Sequence, residues 1–248
     1  IVATMGPAST DSKNVLREMI ESGTNVCRLN FSHGKHENHL NTIKMVREIN
    51  AELDLDVALL ADLQGPKIRI GEVENNSVEL KDGAQLIITT QACIGTSERV
   101  YLTYKEFPKD VAVGDRVLMD DGKLQLEVTG TNREDEVITR VLNGGLLSSK
   151  KGVNLPNTKI SLPCLTVKDL RDLDFALEQD VDWIGLSFVR SAKDIDDLRK
   201  LITKKNKHAK IIAKIEKPEA IEDIDAIIRT TDALMIARGD MGVELPAE

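Results

Sequence analysis

The sequence predicts an α/β chain: a parallel (β/α)8-type barrel, incomplete at six βα units, with an all-β domain inserted after the third strand. Two observations carry this. Short apolar runs alternate with stretches of helical periodicity at both ends of the chain, which is the pattern of a parallel sheet with buried strands. Between residues 67 and 162 that rhythm stops, and short alternating segments separated by Asn, Asp and Gly turns replace it. With the insert set aside, the remainder repeats at roughly 25 residues per βα unit, the step of a (β/α)8 barrel. Six units do not close a barrel, and an open doubly wound sheet is the competing architecture.

The elements follow in order. A strand at 1–4 leads to a helix opened by the Ser9-Thr10-Asp11-Ser12 cap region, with Val15, Leu16, Met19 and Ile20 on one face. A strand at 26–29, a helix near 37–50 and a strand at 57–61 complete βαβαβ. After Pro66 the turn signals are Asn75-Asn76, Asp82-Gly83, Asp121-Gly122 and Asn143-Gly144-Gly145. Asp121-Gly122, lying between RVLMD and KLQLEV, predicts a two-residue hairpin. Pro66 and Pro163 bracket the insert and suit a hinge. Then come a helix at 167–178, a strand at 183–186, a helix at 192–204, a strand at 211–213, a helix at 218–228 and a strand at 233–236. The predicted domains are 1–66 (barrel, first part), 67–162 (all-β insert) and 163–248 (barrel, continued and truncated). The chain opens inside a strand without Met, so an upstream segment is expected, and it stops at Glu248 two units short of closure.

Composition removes several classes of function. The net charge of -8 leaves no surplus of Lys and Arg to displace phosphate counterions, which argues against nucleic-acid binding. Cys27, Cys93 and Cys164 are far apart and lack CxxC spacing, so neither a disulfide framework nor a zinc site is expected. A reducing cytoplasm follows from the same usage. No window approaches the roughly 20 apolar residues of a membrane span, and no signal peptide precedes the first strand.

In a parallel barrel the carboxyl ends of the strands meet on one face, so the residues just past each strand are the candidates for chemistry. The second strand ends in Arg28-Leu29-Asn30-Phe31-Ser32-His33, the third in Asp62, the fifth in Lys214-Ile215-Glu216 and the sixth in Ala237-Arg238-Gly239-Asp240. Glu216 and Asp240 offer hard carboxylate oxygens for one Mg²⁺ or Mn²⁺. Lys214, two residues before Glu216, points to the same face of its strand. An ammonium there can stabilise an enolate or a phosphoryl group in flight, although barrel interiors also hold ion pairs for packing.

The stretches CRLNFSHG, ADLQGPKIRIG, SSKKGVNLP, IIAKIE and MIARGDMGVELPAE, in that order, resemble the signature segments of the pyruvate kinases across the whole chain. The resemblance implies a barrel carrying the active site, a barrel-like all-β lid on proline hinges, and phosphoryl transfer from phosphoenolpyruvate to ADP in glycolysis. It implies that Lys214 stabilises the enolate and that Arg28 clamps the transferring phosphate through its planar fork. Glu216 and Asp240 would hold Mg²⁺, and the amides near Gly239 and Asp240 would bind the substrate carboxylate at a helix start. Arg69 and Lys151 would face the nucleotide phosphates, with Asn30 and His33 nearby. The family's last barrel strands and its C-terminal regulatory domain have no counterpart here, so the 248-residue piece alone is expected to be inactive, and the full-length protein to be a homotetramer.

Other features take plainer readings. His33, His36 and His39 drift around a helix and are not expected to form a metal triad; His36 and His39 read as ordinary exposed helix residues. The Lys204-Lys205-Asn206-Lys207-His208 run suits a solvated helix C-terminus. Lys150-Lys151, just before GVNLP, reads as a lid contact, and Cys27 as a buried strand residue. Two other functions compete: a metal-dependent pyruvate-enolate aldolase or lyase, and an inactive fragment. The insert with its flanking prolines and Lys151 favours the kinase, because a lyase has no second phosphorylated substrate to enclose.

ADLQGPKIRIG also bears on cation dependence. In the better-known branch of the family this stretch has Thr at position 63, Lys at 64 and Glu at 67, and K⁺ sits by the equivalents of Asn30, Ser32 and Asp62. Here Leu63 removes a hydroxyl and Lys67 replaces a carboxylate with an ammonium, and two cations repel strongly in one small site. Leu63, Gln64, Lys67 and Ile70 together resemble the K⁺-independent branch, with Lys67 as the cation surrogate.

Overall fold

The computed structural model describes residues 1–156 and 158–244. They form two compact units. One comprises Ile1–Pro66 and Cys164–Ala237; the other begins at Lys67, runs to Pro163, and takes in the last helix, Arg238–Glu244.

The first unit is built on a six-stranded sheet of Val2–Met5, Val26–Asn30, Ala58–Asp62, Trp183–Leu186, Lys210–Ile215 and Ala233–Ile236, hydrogen-bonded in that order. Every neighbouring pair is parallel. Sequential order decides between the two architectures, because a doubly wound sheet reverses its order at a switch point while a barrel adds each strand beside the last. The third strand pairs directly with the fourth, Leu60 against Trp183 and Asp62 against Gly185, so the insert leaves the sheet order untouched. The shared direction brings Asn30, Asp62, Leu186, Ile215 and Ile236 to the same end of the sheet.

The helices cover the sheet through apolar positions three or four apart. Ile43, Val46 and Ile49 are buried on His36–Leu53, and Ile195, Leu198 and Ile202 on Ala192–Lys204. On Val167–Glu178 the buried face is Leu173, Ala176 and Leu177. That helix has a reciprocal cap: Thr166 Oγ1 accepts from Asp169 N at 3.1 Å, and Asp169 Oδ2 accepts from Thr166 N at 2.8 Å. Asp169 Oδ1 accepts from Gly65 N at 3.0 Å, so the cap also fixes the Gly-Pro break after the third strand.

Three local expectations are corrected. The first helix is two, Pro7–Thr10 and Lys13–Glu21, because Ser9 and Thr10 turn their hydroxyls back onto the Gly6 carbonyl and Ser12 starts a new helix. Its buried face is Leu16 and Ile20, with Val15 exposed. The helix expected at 218–228 likewise divides at Asp223 into Pro218–Glu222 and Ile224–Thr230.

The second unit has a six-stranded sheet and a two-stranded antiparallel pair, Ser77–Leu80 with Gly145–Ser148. Ile68 and Ile70 of the ADLQGPKIRIG stretch enter its core with Leu86, Ile88, Leu102 and Val117, while Lys67 between the break and Ile68 is exposed. The hairpin between Arg116–Met119 and Leu124–Thr131 is wider than predicted. Met119 pairs with Leu124, and Asp120, Asp121 and Gly122 all have left-handed backbone, with φ of 52°, 57° and 81°. Two residues in that conformation suffice for a tight turn; here the loop takes four, 120–123, and its first residue, Asp120, meets Lys151, Nζ to Oδ1 2.7 Å.

Candidate active site at the strand ends

The ends of the first five strands bring six ionic or polar side chains into one chain of contacts. Lys214 Nζ lies 3.0 Å from Glu216 Oε1, 3.2 Å from Asp62 Oδ1 and 2.7 Å from Ser187 Oγ. Ser187 in turn donates to the Leu63 carbonyl at 2.7 Å. Asp62 Oδ2 receives Arg28 through Nε at 2.7 Å and a second guanidinium nitrogen at 2.6 Å, and Arg28 also donates to Thr4 Oγ1 at 2.7 Å. Glu216 Oε2 accepts from the Phe188 amide at 2.8 Å. Alternation along Lys210–Ile215 puts Lys214 and Glu216 on one side, as the two-residue spacing requires.

Burial makes this arrangement consequential. Asp62 and Glu216 are each 1% exposed and Lys214 is 9%, and unpaired charges at that depth would be very costly. Burial alone lowers the pKa of Lys214, but the carboxylates of Asp62 and Glu216 outweigh it and hold the ammonium above the ordinary lysine value. Lys214 is therefore a fixed cation at neutral pH, suited to meeting developing negative charge and unsuited to taking a proton. Close packing holds the frame: a Cβ on Gly185 would come within 3.0 Å of Asp62 Oδ1. On the other side of the break, Gly65 has φ +70° and space filled by the Phe188 ring, 2.7 Å from any Cβ placed there.

Beside this cluster, a cleft of about 520 Å³ is lined by Gly6, Pro7, Asn30, His33, Asn38 and His39 among others. Asn30 Oδ1 accepts from Ser32 N at 3.0 Å and the Asn30 carbonyl from His33 N at 3.1 Å, which gives the loop a tight start. His33 and His36 are exposed as expected, whereas His39 is half-buried, and both His36 and His39 have ring partners. His36 pairs with Asp172 at 2.7 Å and stacks on Phe175, and His39 stacks on Phe31. The His36 ring finds its aromatic partner on another helix and the His39 ring on the loop after the second strand, which periodicity on their own helix does not show. Among the described residues, no group of three His, Cys, Asp or Glu is placed to hold a metal ion. Cys27 is buried with its thiol pKa pushed up to about 11 by burial, which suits packing and not nucleophilic attack.

The remaining predicted residues belong to the second unit. Arg69 bridges to Gly152, and its guanidinium donates to the Lys150 carbonyl at 3.0 Å, so Arg69 and the Lys150-Lys151 pair occupy adjacent segments. Lys150 meets Glu72 at 3.1 Å. Gly239 and Asp240 lie in the first turn of Arg238–Glu244, and residues 245–248 of the MIARGDMGVELPAE segment lie outside the described residues. For a divalent ion the first unit supplies the buried carboxylate of Glu216, a hard oxygen donor, which fits Mg²⁺ or Mn²⁺. Sequence reasoning did not single out Ser187, Thr4 or Phe188. Ser187 is legible only as a hydroxyl one residue past the fourth strand.

The comparison with known families decides what this geometry belongs to. The family model described as pyruvate kinase, barrel domain, matches residues 1–248. The chain belongs to the pyruvate kinase family. It is 46% identical over 250 residues to a pyruvate kinase of Geobacillus stearothermophilus, covering 100% of this chain and 42% of that protein. To pyruvate kinase 2 of Synechocystis it is 47% identical over 251 residues, covering 100% of this chain and 42% of the relative. To a pyruvate kinase of Mycobacterium tuberculosis it is 44% identical over 248 residues, with 100% and 52% covered. The chain thus spans about half the length of the curated pyruvate kinases it matches. No helix of the described residues is long and apolar enough to cross a membrane.

Proposed function

We propose that the protein transfers the phosphoryl group of phosphoenolpyruvate to ADP, giving pyruvate and ATP in glycolysis, and that it does so without K⁺. The observation that carries the reading is Lys214, a buried ammonium held charged between Asp62 and Glu216 at the strand ends. As an ADP β-phosphate oxygen attacks phosphorus, the bridging P–O bond breaks and leaves an enolate, which takes a proton at carbon to become pyruvate. Lys214 meets the enolate oxygen, and Arg28, fixed by Asp62 and Thr4, presents its fork to the transferring phosphoryl oxygens. Gly239 and Asp240 take the substrate carboxylate, while Asn30, His33, Arg69 and Lys151 take the nucleotide. Glu216 and Asp240 would hold Mg²⁺ or Mn²⁺, which supplies neutralisation of phosphoryl and enolate charge. The reading places the enzyme in the cytoplasm, as a homotetramer when full length.

K⁺ independence is supported by the region of Asn30, Ser32 and Asp62. The Asp62 carboxylate already meets Arg28 and Lys214, Asn30 Oδ1 already accepts from Ser32, and Leu63 is buried and has no hydroxyl to offer. Lys67 is exposed in the second unit and provides the surrogate charge in this reading. The test is formation of ATP and pyruvate in equal amounts from phosphoenolpyruvate, ADP and Mg²⁺ by the protein as its gene encodes it, with and without K⁺. Absence of both products sinks the reading of function; strict dependence on K⁺ sinks only the cation part.

A further inference from the structure

The loop that follows the second strand is pinned by Lys168 and Asp172 of the helix Val167–Glu178 together with His36, three residues that the strand-end site does not use. Phe31 is 2% exposed; its N–H donates to the Asp62 carbonyl at 3.0 Å, and its own carbonyl accepts from Lys168 Nζ at 2.6 Å. Lys168 Nζ also lies 2.5 Å from Asp172 Oδ2, and Asp172 Oδ1 lies 2.7 Å from His36 Nε2. Lys168 and Asp172 are four apart on their helix and so share a face. The Lys168 side chain stays partly exposed, and it is the carboxylate that is buried. Here Asp172 is 4% exposed, so both its oxygens need partners, and Lys168 and His36 supply them.

An aromatic layer reinforces the same segment. The Phe31 ring stacks on His39 with centroids 4.3 Å apart, and His36 stacks on Phe175 at 4.3 Å. His39 Nε2 donates to the His33 carbonyl at 3.1 Å. His39 and Gly34 line both the cleft beside Asn30 and His33 and a second cleft of about 420 Å³ beside Lys168 and Asp172. The carbonyl of Phe31, the carbonyl of His33 and the ring of His36 are thus three separate tethers on residues 31–36.

We infer that Lys168, Asp172 and His36 are positioning residues that fix the Asn30–His33 loop and thereby set the affinity for a nucleoside diphosphate. The inference rests on the nucleotide role proposed for Asn30 and His33. None of the three touches the reacting atoms; they act through the loop backbone. A charge-assisted bond to the Phe31 carbonyl is the strongest single tether, so its loss should be felt as looser binding of the ligand that the loop contacts, with the chemistry at Lys214 little changed.

The test compares wild type with Lys168→Met, Asp172→Asn and the conservative Lys168→Arg, all in the protein as its gene encodes it. Hydrogen exchange of the peptide covering residues 31–36 and steady-state KM for ADP and for phosphoenolpyruvate are the readouts. In Lys168→Met and Asp172→Asn, exchange in that peptide should quicken at least tenfold or so, with core strands unchanged. KM for ADP should rise about tenfold while KM for phosphoenolpyruvate stays within about twofold. Lys168→Arg should restore most of both. Unchanged exchange in residues 31–36, or equal rises in the two KM values, overturns the inference. If wild type turns over no phosphoenolpyruvate, the functional reading has failed, and the exchange result still decides the positioning. Should Lys168→Met not fold, Asp172→Asn and His36→Gln carry the same measurements.

Discussion

Lys214→Met removes the cation from between two buried carboxylates, and the structure sets the size of the effect. Asp62 and Glu216 are each 1% exposed, and deleting one partner of a buried ion pair costs about 3–5 kcal/mol. Arg28 still neutralises Asp62 at 2.6 Å, and the Phe188 amide still serves Glu216 at 2.8 Å, so the low end applies. A loss of about 3 kcal/mol corresponds to a fall in Tm of about 10 °C at this size. The pH dependence has a definite sign. The two carboxylates outweigh burial and raise the folded-state pKa of Lys214, so the folded protein holds that proton more tightly than the unfolded chain does. The contribution is therefore complete below the unfolded lysine value of about 10.4 and is lost as pH rises through the higher folded value. Thermal unfolding from pH 7 to 11, followed by the fluorescence of Trp183, should show a constant gap between wild type and variant up to about pH 10 that narrows above it. No gap at pH 7, or a gap undiminished at pH 11, would refute the reasoning.

Three further outcomes follow from particular contacts. Gly185→Ala places a Cβ 3.0 Å from Asp62 Oδ1 and 3.3 Å from its Cα; overpacking there should cost about 1–3 kcal/mol in chemical unfolding and lower kcat by displacing Asp62. Lys67→Glu restores a carboxylate where the K⁺-dependent branch has one, so turnover should come to depend on added K⁺, whereas wild type should change by less than about twofold. Equal K⁺ responses in the two proteins would remove Lys67 from the account. Lys151→Met frees Asp120, whose carboxyl is held below the usual range chiefly by its bond to Lys151. That pair is partly solvated, so stability should change by less than about 1 kcal/mol while KM for ADP rises several-fold; an unchanged KM would leave Lys151 as a structural partner of Asp120 only.

The sequence made the parallel strands legible because buried strands read as apolar runs and their helices as a 3.6-residue rhythm. Lys214 and Glu216 were legible as a pair from spacing alone, since alternation along a strand is strict. The bridge from Arg28 through Asp62 to Lys214 was not, because it joins the second, third and fifth strands across more than 180 positions, from residue 28 to residue 214. Nor did the sequence show where helices break: Ser9 and Thr10 can cap forward or fold back onto Gly6, and tertiary packing chose the latter. The partners of His36 were hidden for the same reason, since Asp172 and Phe175 come from a helix more than 130 residues away in sequence, whereas His39 meets Phe31 and the His33 carbonyl close by.

The central claim is that Lys214 stabilises an enolate, and this is tested most directly without phosphoryl transfer. Pyruvate placed in D₂O with the full protein and Mg²⁺ should exchange its methyl protons, read by loss of the methyl signal in proton NMR. The account predicts exchange by wild type and a loss of about 10²–10³-fold in Lys214→Met. Exchange by Lys214→Met at the wild-type rate would contradict it.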